Sequence, residues 1–239
     1  MSWFRWPLAL LVAGGIVAWA TAVPWPARVM TAVLVAVLPV AAVVQLRLVD
    51  DVSALPRASA YASSALTLWI LAGLAAGASW MSGMDTGSLG LRILPIGPLV
   101  AWSAALTLAG VLLIVVLRRA GLRESVLLLH LLPVTRIERI AFAGLSVTAG
   151  FCEEFLFRGF LLVTLATATG SVVLGVALST VVFGWVHAYQ QPAGAARAGM
   201  LGAVLAVPAV VAESVVPSMI AHTAIDLVGG LWLRNRASP

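Results

Sequence analysis

Runs of about twenty apolar residues recur along nearly the whole chain, separated by short, arginine-bearing connections. A helix needs roughly 20 such residues to cross the hydrocarbon core of a bilayer. Lipid offers the backbone no hydrogen-bond partners, so a run of this kind must satisfy itself as a helix. Eight segments meet the length: about 7–23, 29–47, 61–82, 96–117, 139–165, 170–189, 198–213 and 216–233. The stretch SVLLLHLLP after the fourth is too short to span. The expected fold is therefore all-α, a polytopic integral membrane helical bundle of about eight transmembrane helices. With 62% hydrophobic and 10% charged residues, 239 residues could not hide this much apolar surface in a soluble core. No repeat or linker divides the chain, so residues 1–239 read as a single membrane domain. The opening run resembles a signal peptide, but equally long spans follow it, and a retained first helix is expected.

All 14 basic residues are arginine. If the N-terminus is cytoplasmic, the inner connections hold Arg5, Arg47, Arg57, Arg118, Arg119, Arg123, Arg136, Arg139, Arg197, Arg234 and Arg236. The outer ones hold only Arg28 and Arg92. The positive-inside rule then predicts a multi-pass protein of the cell (plasma) membrane with both termini cytoplasmic. Arginines placed this way orient helices in a lipid bilayer and give no reason to expect a nucleic-acid partner. A single cysteine, Cys152, excludes an internal disulfide and a cysteine metal cluster.

Polar residues inside the spans carry the functional signal. The fifth contains Glu153, Glu154 and Arg158, the sixth ends near His187, and the eighth contains His222 and Asp226. A charged side chain at the bilayer centre costs about 3 kcal/mol by insertion scales, so such groups are expected to face a protein interior and to serve a function. Glu154 and Arg158 are four apart and can pair across one helical turn. His222 with Asp226, and Phe183 with His187, repeat that spacing on their own helices. Glu153 points about 100° away from Glu154 and is left for other work. A glutamate and a histidine on different helices suit general-base activation of water, and a second histidine suits stabilisation of an oxyanion. Asp226, an acceptor when ionised, is expected to orient His222. No cofactor is expected, although Glu153, His187 and His222 together could also hold a metal. The metalloprotease signature HExxH is absent, and no serine is set against a histidine.

Three motifs in order, EEFLFR from Glu153 to Arg158, FGWVH from Phe183 to His187, and HTAID from His222 to Asp226, resemble the type II CAAX prenyl endopeptidases and their bacterial relatives, the intramembrane glutamic endopeptidases. The resemblance covers roughly residues 139–233, the expected catalytic core region. It implies that Glu153 and His187 activate water and that His222, with Asp226 beside it, stabilises the oxyanion. Glu154, Arg158 and Phe183 are then supporting residues. The implied substrate is a membrane-associated peptide or protein, prenylated or not. The family pattern allows Asn or Asp at the last position; Asp226 removes an amide donor.

Two alternatives stand beside the hydrolase. The same polar residues could line a proton or ion path, or a non-catalytic scaffold or immunity protein could bind a peptide there. The expected boundaries also carry a mismatch. Counted from Arg139, Glu153 lies about 21 Å into its span at 1.5 Å per residue, whereas His187 falls near the end of the next.

Overall fold

The computed structural model describes residues 22–48 and 55–237, with side chains over 22–44 and 55–230. The first expected span, about 7–23, therefore lies outside the described residues except for its last two positions. Helix α1 joins Trp25–Ala32, a π-helical stretch Val33–Val37 and Leu38–Leu48. Helices α2 (Arg57–Met81) and α3 (Ile96–Arg119) follow, then a single turn, α4 (Val126–His130). Helix α5 runs through Arg136–Glu154, a π-helical stretch Phe155–Leu161 and Leu162–Thr169. Helices α6 (Val172–Val186), α7 (Gln191–Leu205), α8 (Val207–Val211) and α9 (Val216–Ala237) complete the order. The described residues form no sheet; one isolated bridge joins Leu91 and Ser214.

Five of the described helical stretches are long and apolar enough to cross a membrane, consistent with a polytopic bundle. The expectation of eight is not met residue for residue. The sixth expected span is only 15 residues, Val172–Val186, about 22 Å long. The seventh begins earlier than expected, as Ala188–Val211. The sequence hides this because the turn after His187 is itself helical, Ala188–Gln190, and leads straight into α7. Helix α9 is 22 residues long, with side chains described to residue 230.

Helix α5 is the axis of the fold. It packs against α2 and α9, and its second half against α6; α6 in turn packs on α7. Its start is set by a capping box, in which Thr135 Oγ1 accepts from Glu138 N while Glu138 Oε2 accepts from Thr135 N at 2.8 Å. Its end is set by Gly170, whose φ of 66° is the left-handed conformation that lets the chain turn back into α6.

At one end of the bundle Ala27 N donates to Ser82 Oγ (3.1 Å) and Val215 N to Gly90 O (2.8 Å). The connection between α2 and α3 dips inward there. Leu89 is buried, and a Cβ added at Gly159 would stand 3.0 Å from its carbonyl. At the opposite end Arg57 Nε donates to His130 O and Tyr61 Oη to Leu131 O, both at 2.6 Å. Apart from Arg158, buried between the ends, the arginines on described elements lie at this second end, with Arg28 and Arg92 at the first.

Candidate active site

Glu153 and Glu154 are the last α-helical residues before the π-helical stretch of α5. All seven residues of that stretch are buried, Arg158 among them. A π-turn widens the helix locally and recurs at functional sites. Here Arg158 Nη1 donates to Glu154 Oε1 at 2.8 Å. The guanidinium carbon lies 4.2 Å from the centroid of the Phe183 ring, a cation–π contact. Gly202 makes room for both partners, since a Cβ there would sit 2.7 Å from Arg158 Nη2 and 2.9 Å from Phe183 Cδ1.

Glu154 does more than hold Arg158. Its Oε1 also accepts from His222 Nδ1 at 2.8 Å. This corrects the expectation that Asp226 orients His222. The Asp226 carboxylate lies on the other ring nitrogen, Oδ2 to Nε2 at 3.8 Å, beyond hydrogen-bond distance. Nδ1 is already taken by Glu154, presented from α5, so Asp226 on α9 meets only the opposite ring nitrogen. Gly150 permits that approach: a Cβ added there would stand 2.7 Å from Met219 O and 2.9 Å from Thr223 N.

His187 is the C-cap of α6. Its Nδ1 lies 2.8 Å from Phe183 O, and because a carbonyl only accepts, that nitrogen carries a proton. The two histidines are thus both pinned through Nδ1, and both aim Nε2 at one atom. Glu153 Oε2 is 3.9 Å from His187 Nε2 and 3.9 Å from His222 Nε2. It makes no direct hydrogen bond, although it is buried.

The mismatch expected from the sequence boundaries disappears when depth is counted from the turn the two helices share. Glu153 precedes Gly170 by 17 residues and His187 follows it by 17, so antiparallel α5 and α6 bring them level. Measuring from Arg139 failed because α5 continues well beyond one bilayer crossing, as Arg136–Thr169 with 34 residues.

The structure therefore gathers Glu153, Glu154, Arg158, Phe183, His187, His222 and Asp226 from α5, α6 and α9. Sequence reasoning missed the π-turn, Gly202, and Phe157, whose ring meets Phe183 edge-on at 5.0 Å. It also missed Tyr189, stacked on His187 at 5.9 Å. Only Tyr189 carried a signal, as a polar aromatic two residues beyond a candidate histidine. The metal alternative names Glu153, His187 and His222 as the ligands. Ligands about 2.1 Å from a tetrahedral zinc stand roughly 3.4 Å apart, closer than either 3.9 Å separation. Among the described residues no group of three or more His, Cys, Asp or Glu side chains is arranged to hold a metal ion.

Fold and site together define a class: a polytopic helical membrane protein with a buried carboxylate–histidine cluster. Residues 136–228 match the family described as Rce1-like, type II CAAX prenyl endopeptidase Rce1-like, to which that stretch of the chain is similar. No curated protein and no solved structure matches the chain.

Proposed function

We propose that the chain is an intramembrane glutamic endopeptidase, hydrolysing a peptide bond of a membrane-associated peptide or protein. The observation that carries this reading is the placement of Glu153 Oε2 at 3.9 Å from the Nε2 atoms of His187 and His222. These gaps are too long for direct hydrogen bonds and suit one water molecule held by the carboxylate and a histidine. Ionised Glu153 takes the proton of that water as its oxygen attacks the scissile carbonyl. His187 bears its proton on Nδ1, so in the neutral ring Nε2 accepts from the water and orients it. His222 commits its Nδ1 proton to Glu154; to donate to the developing oxyanion through Nε2 it must carry both ring protons. Glu154, anchored by Arg158, holds that ring in place. No cofactor enters the scheme.

Convergence on one point supports hydrolysis over permeation, since an ion path needs its polar groups spread along the bilayer normal. The arginine-rich end of the bundle faces the cytoplasm in this reading, with both termini on that side and the membrane that of the cell. The family match over 136–228 makes a prenylated, CAAX-like peptide the first substrate to assay. Purified Glu153→Gln protein should lose hydrolysis, by about a thousandfold or more for loss of a general base and water-holding group together, while keeping its thermal stability. Hydrolysis at wild-type rate by that variant would sink the mechanism. Activity abolished by a chelator would sink the cofactor-free scheme.

A further inference from the structure

The residues just beyond His187 form a chain of contacts that the hydrolysis scheme does not use. Tyr189 lies on the turn Ala188–Gln190, its ring 29° from parallel with the His187 imidazole and 5.9 Å away, centroid to centroid. Its hydroxyl oxygen accepts from Gln190 Nε2 at 3.1 Å. Gln190 Oε1 accepts from Arg197 Nη2 at 3.2 Å. An arginine only donates, so this contact fixes which end of the Gln190 amide faces Tyr189. Arg197 Nη1 stands 3.5 Å from Glu124 Oε1, and Arg118 Nη1 lies 3.3 Å from the same oxygen. The Arg197 and Glu124 side chains are 7% and 3% exposed. This ion pair is therefore buried, the kind whose loss is felt structurally.

Two backbone features show that the turn is held under constraint. Gln191 has φ 68° and ψ 172°, a left-handed conformation that costs a non-glycine residue free energy and persists only where its surroundings impose it. Gly194 leaves the space into which Gln190 folds; a Cβ there would collide with Gln190 Cβ. His187 itself sits at the very end of α6, where the chain passes into the short turn Ala188–Gln190.

We propose that Glu124 is a positioning residue for His187, acting through Arg197, Gln190 and Tyr189; this rests on the reading of His187 as half of the water-activating pair. Glu124 lies on the connection after α3, so the relay ties a loop at the arginine-rich end of the bundle to the imidazole in the site. With the carboxylate gone, Arg197 is no longer held, Gln190 loses its fixed orientation, and the Tyr189 ring is free to leave the face of His187.

The chain holds three histidines, His130, His187 and His222, so their ring signals can be resolved by NMR of full-length protein carrying 13C-labelled histidine, each assigned by a His→Gln variant. Glu124→Gln and Tyr189→Phe should each shift the His187 ring signal and leave that of His222 in place. Glu124→Asp should restore the wild-type position. In turnover, Glu124→Gln should lower kcat about tenfold with KM within about twofold, the pattern of a misplaced catalytic group. If the His187 signal stays put in both variants, or moves only together with that of His222, the proposal is overturned. Tyr189→Phe removes only the hydroxyl link and decides the matter even if Glu124→Gln fails to fold. Should the wild type hydrolyse no peptide, the enzymatic reading falls, while the histidine spectrum still decides the relay.

Discussion

Helices α2 and α3 on one side, and α5 on the other, are all long and apolar, yet they bury very different shares of themselves. Helix α2 buries five described residues, all but Tyr61 of them alanine or serine, and α3 buries Ser103, Leu106, Gly110 and Leu117. Large side chains such as Leu66, Leu74 and Leu108 point outward. The π-turn of α5, by contrast, buries every one of its residues, including an arginine and three phenylalanines. In lipid an apolar side chain gains little by moving inward, because hydrocarbon surrounds it either way. What selects the inside is therefore polarity and close approach. The helices that build the site are those carrying charged and histidine side chains away from their ends, and the matched family stretch, 136–228, coincides with them.

The largest test of that contrast is Glu154→Leu. The substitution keeps hydropathy favourable for a span but leaves Arg158 buried without its hydrogen-bonded ion-pair partner and frees His222 Nδ1. Removing one partner of a buried pair costs about 3–5 kcal/mol, and hydrolysis should vanish with it. Leu108→Ala on α3, an outward-facing position, should leave both within error. Thermal unfolding in detergent beside a hydrolysis assay measures the difference. Equal losses in the two variants would erase the distinction between site helices and lipid-facing helices.

Gly150→Ala comes next. The added Cβ would press on the backbone of α9 at Met219 and Thr223, and backbone cannot rotate aside as a side chain can. Overpacking of this kind costs about 1–3 kcal/mol. It should also reduce hydrolysis, because prising α9 from α5 lengthens the His222–Glu154 contact. A variant with wild-type stability and activity would show that the two helices have slack the structure does not reveal.

Much of this was legible in the sequence. The five long apolar helices announced themselves by length and hydropathy, and the six charged or histidine side chains expected inside spans all converge in the structure, because burying them apart would cost more than burying them together. What stayed hidden was relational. The π-turn after Glu154 has no residue signature in FLFRGF. The depth of Glu153 could not be judged from Arg139, because nothing in the apolar pattern says where a helix of 34 residues leaves the bilayer; the Gly170 turn would have served as the ruler. Helix spacing suggested Asp226 as the partner of His222, since four-residue intervals are visible within one segment, whereas the Glu154–His222 contact joins positions 68 apart. Gly150 and Gly202 read as ordinary membrane-helix glycines until the neighbours they admit are known.

The smallest effect, and the one of opposite sign, is expected at Gly77. It sits in the interior of α2 with nothing within 4 Å of the position a Cβ would take. Glycine there has no packing reason, so replacing it with alanine brings no collision and removes the backbone freedom that glycine loses on folding. Helix propensity then favours the substitution by up to about 1 kcal/mol, less if the membrane already restricts the unfolded helix. Gly77→Ala should raise the unfolding midpoint slightly and leave hydrolysis unchanged, while the same substitution at Gly150 lowers both. If Gly77→Ala were the more damaging of the two, the outward face of α2 must meet a protein surface rather than lipid, and the division between site-building and lipid-facing helices would have to be redrawn at α2.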